Sequence, residues 1–495
     1  MMNNIIVMPM IIPLLTGIIL IFLRSYTKTQ RVFSILSSIA TVVVSLVILN
    51  RIQHEGILRL DFGGWLPPYG ILFVADSFST LLVVTTSIVT SILLIYAFSS
   101  IGKQHEHMFF YPFIFFLVAG VNGSFLTGDL FNMFVCFEVM LLSSYVLITM
   151  GGRKIQLVES IKYVTINVLS SWFFLIGIAY LYGTVGTLNM AHLSVRVAEV
   201  GQGPLLTVIS LMFLIVFSLK AGLLLYFWLP GSYSAPPTVV AALFGALLTK
   251  VGIYAMFRIF TLIFYHETVI THTVIGIMAI LTMIGGSIGA LAHNDIRQIV
   301  SYNVVIAVGF ILAGLAISSE VAFQGAIYYL IHDMIVKALL FLIAGTMIYL
   351  TGKAKIQEMS GLIRNYPMLG WLFFITMLSL TGIPPLSGFI SKVYLGQGAI
   401  ETGSYLLLAV AFISGIFVLY SLLRIFLNSF WGETIISEDD DVPLKKGMLV
   451  PCVLFAIMTV AIGVGAEGLA PYVSDAARTL MNPEIYIDAV LQGNR

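Results

Sequence analysis

Between residues 4 and 471 the chain divides into fourteen predominantly apolar runs, most of them near the length of a membrane-crossing helix. A hydrocarbon layer about 30 Å thick takes about 20 apolar residues to cross at the helical rise. The runs are 4–23, 33–50, 72–99, 109–127, 129–150, 160–182, 206–229, 237–264, 272–292, 298–318, 323–350, 368–395, 403–428 and 447–471. They predict an all-α integral membrane protein of about 14 transmembrane helices. The least distinct cut is the fourth, at "LTGDLFN", where a Gly-Asp turn is expected to separate two helices.

Composition agrees with a lipid setting. Charged residues make up 9% of the chain and mean hydropathy is +1.04, against about 25% charged residues in a soluble domain. A net charge of +1 gives no reason to expect nucleic acid as a partner. No polar stretch is long enough to build a soluble catalytic domain, which argues against an enzyme acting by itself. Cys136 and Cys452 both lie in apolar runs and read as buried spectator thiols. No cysteine or histidine spacing of a metal site occurs, and no cofactor motif is present. The N-terminus lacks a basic stretch and cleavage site, so Ile5–Phe22 is expected to stay as a helix.

An even number of spans puts both termini on one side. Loops after odd-numbered runs carry thirteen Lys and Arg, against six counted in the termini and the other loops, namely Arg51, Arg59, Arg196, Arg258, Arg478 and Arg495. The positive-inside rule then places both termini outside the cytoplasm. Three segments are expected not to span. Residues 187–200 read as an amphipathic interfacial helix. Residues 431–446, with "SEDDD", read as a solvated loop. The tail from Ser474 reads as a polar helix capped by Ser474.

The informative residues are the charges inside the runs. They are Lys162, Lys220, Lys250, Lys337, Lys392 and Glu138, with His332 and Asp333 beside Lys337. A Lys or Asp at the centre of a spanning helix costs about 2.5–3.5 kcal/mol on insertion scales. Several such residues are tolerable if they line a hydrated, protein-enclosed path. Lys162 lies near a helix start, where it can snorkel to the headgroups. Lys220 is the only Asp, Glu, Lys or Arg between Val200 and Thr249, and Lys250 and Lys337 are also near mid-run. Lys392 follows "LTGIPPLSGF", a sequence that cannot stay one regular helix. Lys220 precedes the similar "WLPGSYSAPP". Paired Pro/Gly-interrupted segments in two halves point to an ion pathway in a transporter of inverted repeats.

Spacing suggests pairs. Asp333 and Lys337 are i,i+4 on one helix face. His332 beside them suits proton passage, because its ordinary pKa of about 6.5 lies near neutrality. Glu138 has no cation nearby in sequence, so its partner must come from another helix, and Lys220 is the natural choice. Asp129 reads as a helix cap at its turn, and Asp295 with Arg297 as a capping loop.

These residues resemble a known family, the antiporter-like subunits shared by respiratory complex I and the Mrp-type cation/proton antiporters. The resembling segments are "GDLFNMFVCFEVMLLSSYVL" with Glu138, "LKAGLLLYFWLPGSYSAPPTVVAALFGALLTKVGIYAMFR" with Lys220 and Lys250, "LAHNDIRQIVSYNVVIAVGFIL", "IHDMIVKALLFLIAG" with His332 and Lys337, and "GIPPLSGFISK" with Lys392. Lys392 stands where some members carry glutamate, and the Mrp-type branch is the more similar. The resemblance implies two inverted five-helix repeats, with helices 7 and 12 discontinuous, and a row of buried ionisable residues parallel to the membrane plane. It divides the chain into flanking helices 1–3 (1–105), a first repeat (106–265), a second repeat (266–430) and a final part (431–495). It also implies other subunits of a hetero-oligomeric complex as partners, lipids around them, protons and Na+ as cargo, and the cell membrane as the location.

The expected function is proton translocation in a multisubunit cation/proton antiporter, through Glu138, Lys220, Lys250, His332, Lys337 and Lys392. Asp76 is a minor candidate for a Na+ ligand. One alternative is a membrane-arm subunit of a complex I-like NADH:quinone or ferredoxin-linked redox pump. Another is a structural subunit with vestigial charges.

Overall fold

The computed structural model describes residues 2–434 and 442–491, and the acidic "SEDDD" run, 437–441, lies outside the described residues. A 3-10 turn, Met2–Val7, leads into α1 (Met8–Phe22) and α2 (Thr27–Glu55). A hairpin follows, β1 (Leu58–Asp61) antiparallel to β2 (Leu72–Ala75), with Leu58 opposite Ala75. The run expected from residue 72 therefore opens as strand, and its helix, α3 (Ser77–Ser100), starts where Asp76 and Ser79 form a capping box.

Next come α4 (Lys103–His107), α5 (Phe110–Leu126), α6 (Leu130–Thr149), α7 (Lys154–Val185), α8 (Met190–Val200), α9 (Pro204–Ala221) and α10 (Leu229–Ser234). α11 (Thr238–Leu243) and α12 (Thr249–Arg258) belong to one rod, Thr238–Ile263, with π-helical turns at Phe244–Leu248 and Ile259–Ile263. The second half holds α13 (Thr268–Ala292), α14 (Ile296–Ile317), α15 (Glu320–Thr351), α16 (Leu362–Asn365), α17 (Pro367–Thr381), α18 (Ser387–Glu401) and α19 (Tyr405–Phe430). It ends with α20 (Lys446–Val464), α21 (Ala466–Met481) and α22 (Pro483–Leu491).

Among the described residues, 12 helices are long and apolar enough to cross a membrane, and α5 and α17 are shorter apolar helices. The expected breaks are present. The seventh run is helical only to Ala221, where Gly222 turns left-handed at φ 79°. The twelfth divides into α17 and α18 around Gly382, at φ 84°, and the two prolines after it.

The rod Thr238–Ile263 is wholly buried and α15 nearly so. Apart from a few buried charges both are apolar around most of their circumference, and a helix without a solvated face is stable only when surrounded. α1, α2 and α19 instead turn Leu, Ile, Val and Phe outward, as lipid-facing helices do. Gly252 lets the rod press against the end of α9, since a Cβ there would meet the Ala221 backbone nitrogen at 2.7 Å. That contact brings the helices of Lys220 and Lys250 together.

Two expectations change. Helix α21 begins at Ala466 and runs straight through Ser474, so Ser474 is not a cap. The tail also folds back onto the bundle: the Ser77 hydroxyl donates to Asp475 at 2.5 Å, and the Tyr328 hydroxyl to the Ala466 carbonyl at 2.5 Å. The segment expected at 187–200 is helical as α8, capped by Asn189, with Leu193 and Val197 buried.

Candidate functional site

Lys220 lies in the last turn of α9, where unpaired carbonyls favour a cation. Its side chain is buried, with the ammonium 5.2 Å from the Phe137 ring centre. It does not touch Glu138 directly. The amine donates to Ser171 Oγ at 3.2 Å, and Ser171 Oγ donates to Glu138 Oε1 at 2.5 Å. The expected Glu138–Lys220 pair thus exists as a three-member chain across α6, α7 and α9. Sequence reasoning missed Ser171, because a serine in an apolar helix usually bonds its own backbone and gives no other signal. The break after Lys220 is stabilised by its neighbours: Trp228 Nε1 donates to the Leu219 carbonyl at 3.1 Å, and the Leu224 amide to Thr282 Oγ1 at 2.7 Å.

A second cluster occupies the centre. Lys250 Nζ lies 2.7 Å from Asp333 Oδ2, and Lys337 Nζ lies 3.6 Å from Asp333 Oδ1. None of the three side chains exceeds 1% exposure. Lys250 also donates to the Gly245 carbonyl at 2.7 Å. Gly245 lies in the π-helical turn, which disturbs the regular backbone ladder; such turns often mark functional positions. The i,i+4 pair of Asp333 with Lys337 is present as expected, but the tighter partner is Lys250, from the other half of the chain.

The third cluster surrounds the second break. His332 Nδ1 is 2.7 Å from Ser387 Oγ, at the start of α18, and Ser387 Oγ is 3.4 Å from Ser379 Oγ. Lys392 reaches back across the break and donates to the carbonyls of Thr381 and Leu380, at the end of α17. It lines a cavity of about 250 Å³ with Thr381, Gly382, Phe389, Phe412 and Gly415, among others. Lys392 is half-buried, with its amine turned toward the carbonyls across the break.

The clusters are not continuous. No hydrogen bond or ion pair among the described residues joins Lys220 to Lys250, or Lys337 to Lys392. Ser218 and Thr249, beside the first gap in sequence, have buried hydroxyls without a hydrogen-bond partner among the described residues. Buried polar groups of this kind are commonly satisfied by ordered water.

The remaining charges have other roles. Lys162 is exposed and pairs with Glu159 at 2.7 Å, consistent with snorkelling. Asp129 caps α6, accepting from the Asn132 amide at 2.8 Å. Burial raises its pKa to about 6, opposed by the backbone amides that favour its charge. Asp295 caps α14 through the Arg297 amide at 2.8 Å. Asp76 is paired with Arg258, and both are buried. Arg258, counted from sequence as a loop cation, lies inside the rod instead. That pairing engages the carboxylate considered for Na+.

The model of the family described as NADH:quinone oxidoreductase/Mrp antiporter, transmembrane, matches residues 127–418. The chain is 50% identical over 492 residues to the D subunit of the Na(+)/H(+) antiporter of Bacillus subtilis (strain 168), covering 99% of this chain and 100% of that one. Among solved structures it superposes with TM-score 0.92 and 30% identity on a chain of the Mrp complex from Dietzia sp. DQ12-45-1b, covering 99% of this chain and 100% of that one. A chain of the membrane-bound sulfane sulfur reductase, an archaeal respiratory membrane complex, shares the fold at TM-score 0.89 and 22% identity, covering 98% and 99%.

Proposed function

Because the chain belongs to the NADH:quinone oxidoreductase/Mrp antiporter transmembrane family, we propose that it serves as the proton-carrying D-type member of a multisubunit Na+/H+ antiporter. It is a multi-pass membrane protein that assembles with other Mrp-type subunits. The observation that carries the proton role is the direction of four amines, those of Lys220, Lys250 and Lys337 buried and that of Lys392 half-buried. Lys220, Lys250, Lys337 and Lys392 all point at a hydroxyl, carboxylate or carbonyl inside the protein rather than into lipid. Such groups are costly at membrane depth and are typical of proton relays.

In this reading Glu138, Ser171 and Lys220 form a gate at the first break. Lys250 carries the proton centrally, Lys337 and His332 pass it on, and Lys392 delivers it at the second break. Lysine is suited to this because its charge is readily lost when it is desolvated. Residues 106–265 and 266–430 act as the two inverted repeats, each contributing one broken helix. The setting is the bacterial cell membrane, with both termini outside the cytoplasm. With Asp76 engaged by Arg258, Na+ crosses through another subunit.

The fold alone also serves a redox-linked complex, so the deciding experiment omits electron donors. The purified complex is placed in liposomes with an imposed pH gradient, and Na+ is added. Antiport predicts that Na+ discharges the gradient with no donor present. A redox-driven subunit predicts no discharge until a donor is supplied, and that result would end the proposal.

A smaller effect tests the gate. Ser171→Ala is expected to assemble normally and to slow Na+-dependent proton movement about tenfold, the scale of one hydrogen bond to a charged group. Ser171→Thr keeps the hydroxyl and should remain within about twofold of wild type. An assembled Ser171→Ala complex at the wild-type rate would remove Ser171 from the path.

A further inference from the structure

Helix α15 carries two adjacent acid–base groups, and the bundle sends them different ways. His332 faces the second break, where Ser387 meets its Nδ1. Asp333, one residue on, faces the rod of the first half. A step of one residue turns a helix by about 100°, so α15 presents one group to each half of the molecule.

We propose that Asp333 is the junction between the two halves, a carboxylate that takes a proton from Lys250 and gives it to Lys337. The inference rests on the proton-carrying function proposed above. It assigns the step between the halves to a residue that the row of lysines leaves without a role.

Three observations support it. Asp333 has one amine on each side, 2.7 Å from Oδ2 and 3.6 Å from Oδ1, and the two amines come from different halves. Apart from these ion pairs, neither carboxylate oxygen has a hydrogen-bond partner among the described residues. An ordinary structural aspartate in such a place is held by backbone amides or hydroxyls, as Asp129 and Asp295 are. Finally, the contacts are unequal. At 2.7 Å Lys250 is in hydrogen-bond range, whereas 3.6 Å to Lys337 exceeds it. The structure therefore shows the carboxylate engaged with the first half and within a small movement of the second.

The step balances as follows. An N–H bond of the Lys250 ammonium breaks and an O–H bond forms at Asp333 Oδ2, leaving a neutral amine and a neutral carboxylic acid. Rotation about Cβ–Cγ turns the acid toward Lys337. Its O–H bond breaks as an N–H bond forms on a neutral Lys337 amine, restoring the carboxylate. One proton has crossed from one half to the other. Lys250, held by the Gly245 carbonyl at 2.7 Å, stays in place to be recharged.

The test uses the intact complex in liposomes, with co-purification of the partner subunits as the measure of assembly. Maximum rate and half-saturating Na+ concentration are determined for Asp333→Asn, Asp333→Glu and, as a control on the parent reading, Lys220→Ala. Asp333→Asn is expected to assemble and to lose about 100-fold or more in maximum rate, the scale of a positioned acid–base group, with unchanged half-saturation by Na+. Asp333→Glu restores the transferable proton and should recover most of the rate, which a purely structural role would not require. Asp333→Asn within about twofold of wild type, beside an inactive Lys220→Ala, would overturn the junction alone. Wild-type rates in both variants would overturn the proton-carrying function with it. If Asp333→Asn fails to assemble, Asp333→Glu decides: an active complex supports the junction, and an assembled, inactive one overturns it.

Discussion

Replacing Lys220 by alanine is expected to stop Na+-dependent proton movement while leaving the complex assembled. The predicted fall is about 100-fold or more, because a positioned acid–base group is removed outright. Assembly should survive because the partner left behind is not stranded. Glu138 is only half-buried and keeps its bond from Ser171 at 2.5 Å. Lys220→Arg sharpens the test. Arginine keeps the positive charge and much of the stem but does not deprotonate in proteins. If Lys220 merely balanced Glu138, arginine would restore transport. If Lys220 must release its proton, arginine remains as inactive as alanine. Rates are measured as Na+-induced discharge of a pH gradient, normalised to co-purified complex. An active arginine variant would reduce Lys220 to a counter-ion.

Much of the architecture could be read from the sequence because lipid simplifies the problem. A helix that must satisfy its own backbone in hydrocarbon shows itself as a long apolar run, and a broken one shows its prolines and glycines in place. A lysine in such a run is equally conspicuous, so Lys220, Lys250, Lys337 and Lys392 could be singled out with no knowledge of their neighbours. The pairing could not be. Ser171 lies 49 residues from Lys220 and 33 from Glu138, in a helix with no unusual feature at that point. Lys250 finds Asp333 on a helix from the other half, whereas the i,i+4 rule reveals only the looser contact with Lys337. Local periodicity fixes which face a residue occupies but not which helix meets that face. At the ends of runs it does less. Arg258 read as a loop cation because it stands near the end of its run, and Ser474 read as a cap because the preceding helix was expected to stop.

Arg258 carries the largest expected effect on stability. Its guanidinium pairs with Asp76 and donates to the Tyr254 hydroxyl at 3.0 Å. The rings of Phe78, Tyr254 and Tyr486 lie 5.6, 5.3 and 5.0 Å from it. These contacts join four parts of the chain: the start of α3, the rod, the end of α5 through the Tyr254 bond to the Phe125 carbonyl at 2.6 Å, and α22. Arg258→Ala leaves Asp76 charged and buried, a change that costs about 3–5 kcal/mol where one partner of a buried pair is removed. It also takes away the cation against which the Tyr486 ring packs. The expected result is a sharp drop in the melting temperature of the detergent-solubilised complex and in its yield. Asp76→Asn/Arg258→Met removes both charges together and should recover part of the loss, because an apolar replacement of a buried pair is often tolerated. Arg196→Ala, which breaks the exposed pair with Glu199, should change little by the same measurement. Equal melting temperatures for the Arg258 and Arg196 variants would show that the buried cluster does not hold the C-terminal helices to the bundle.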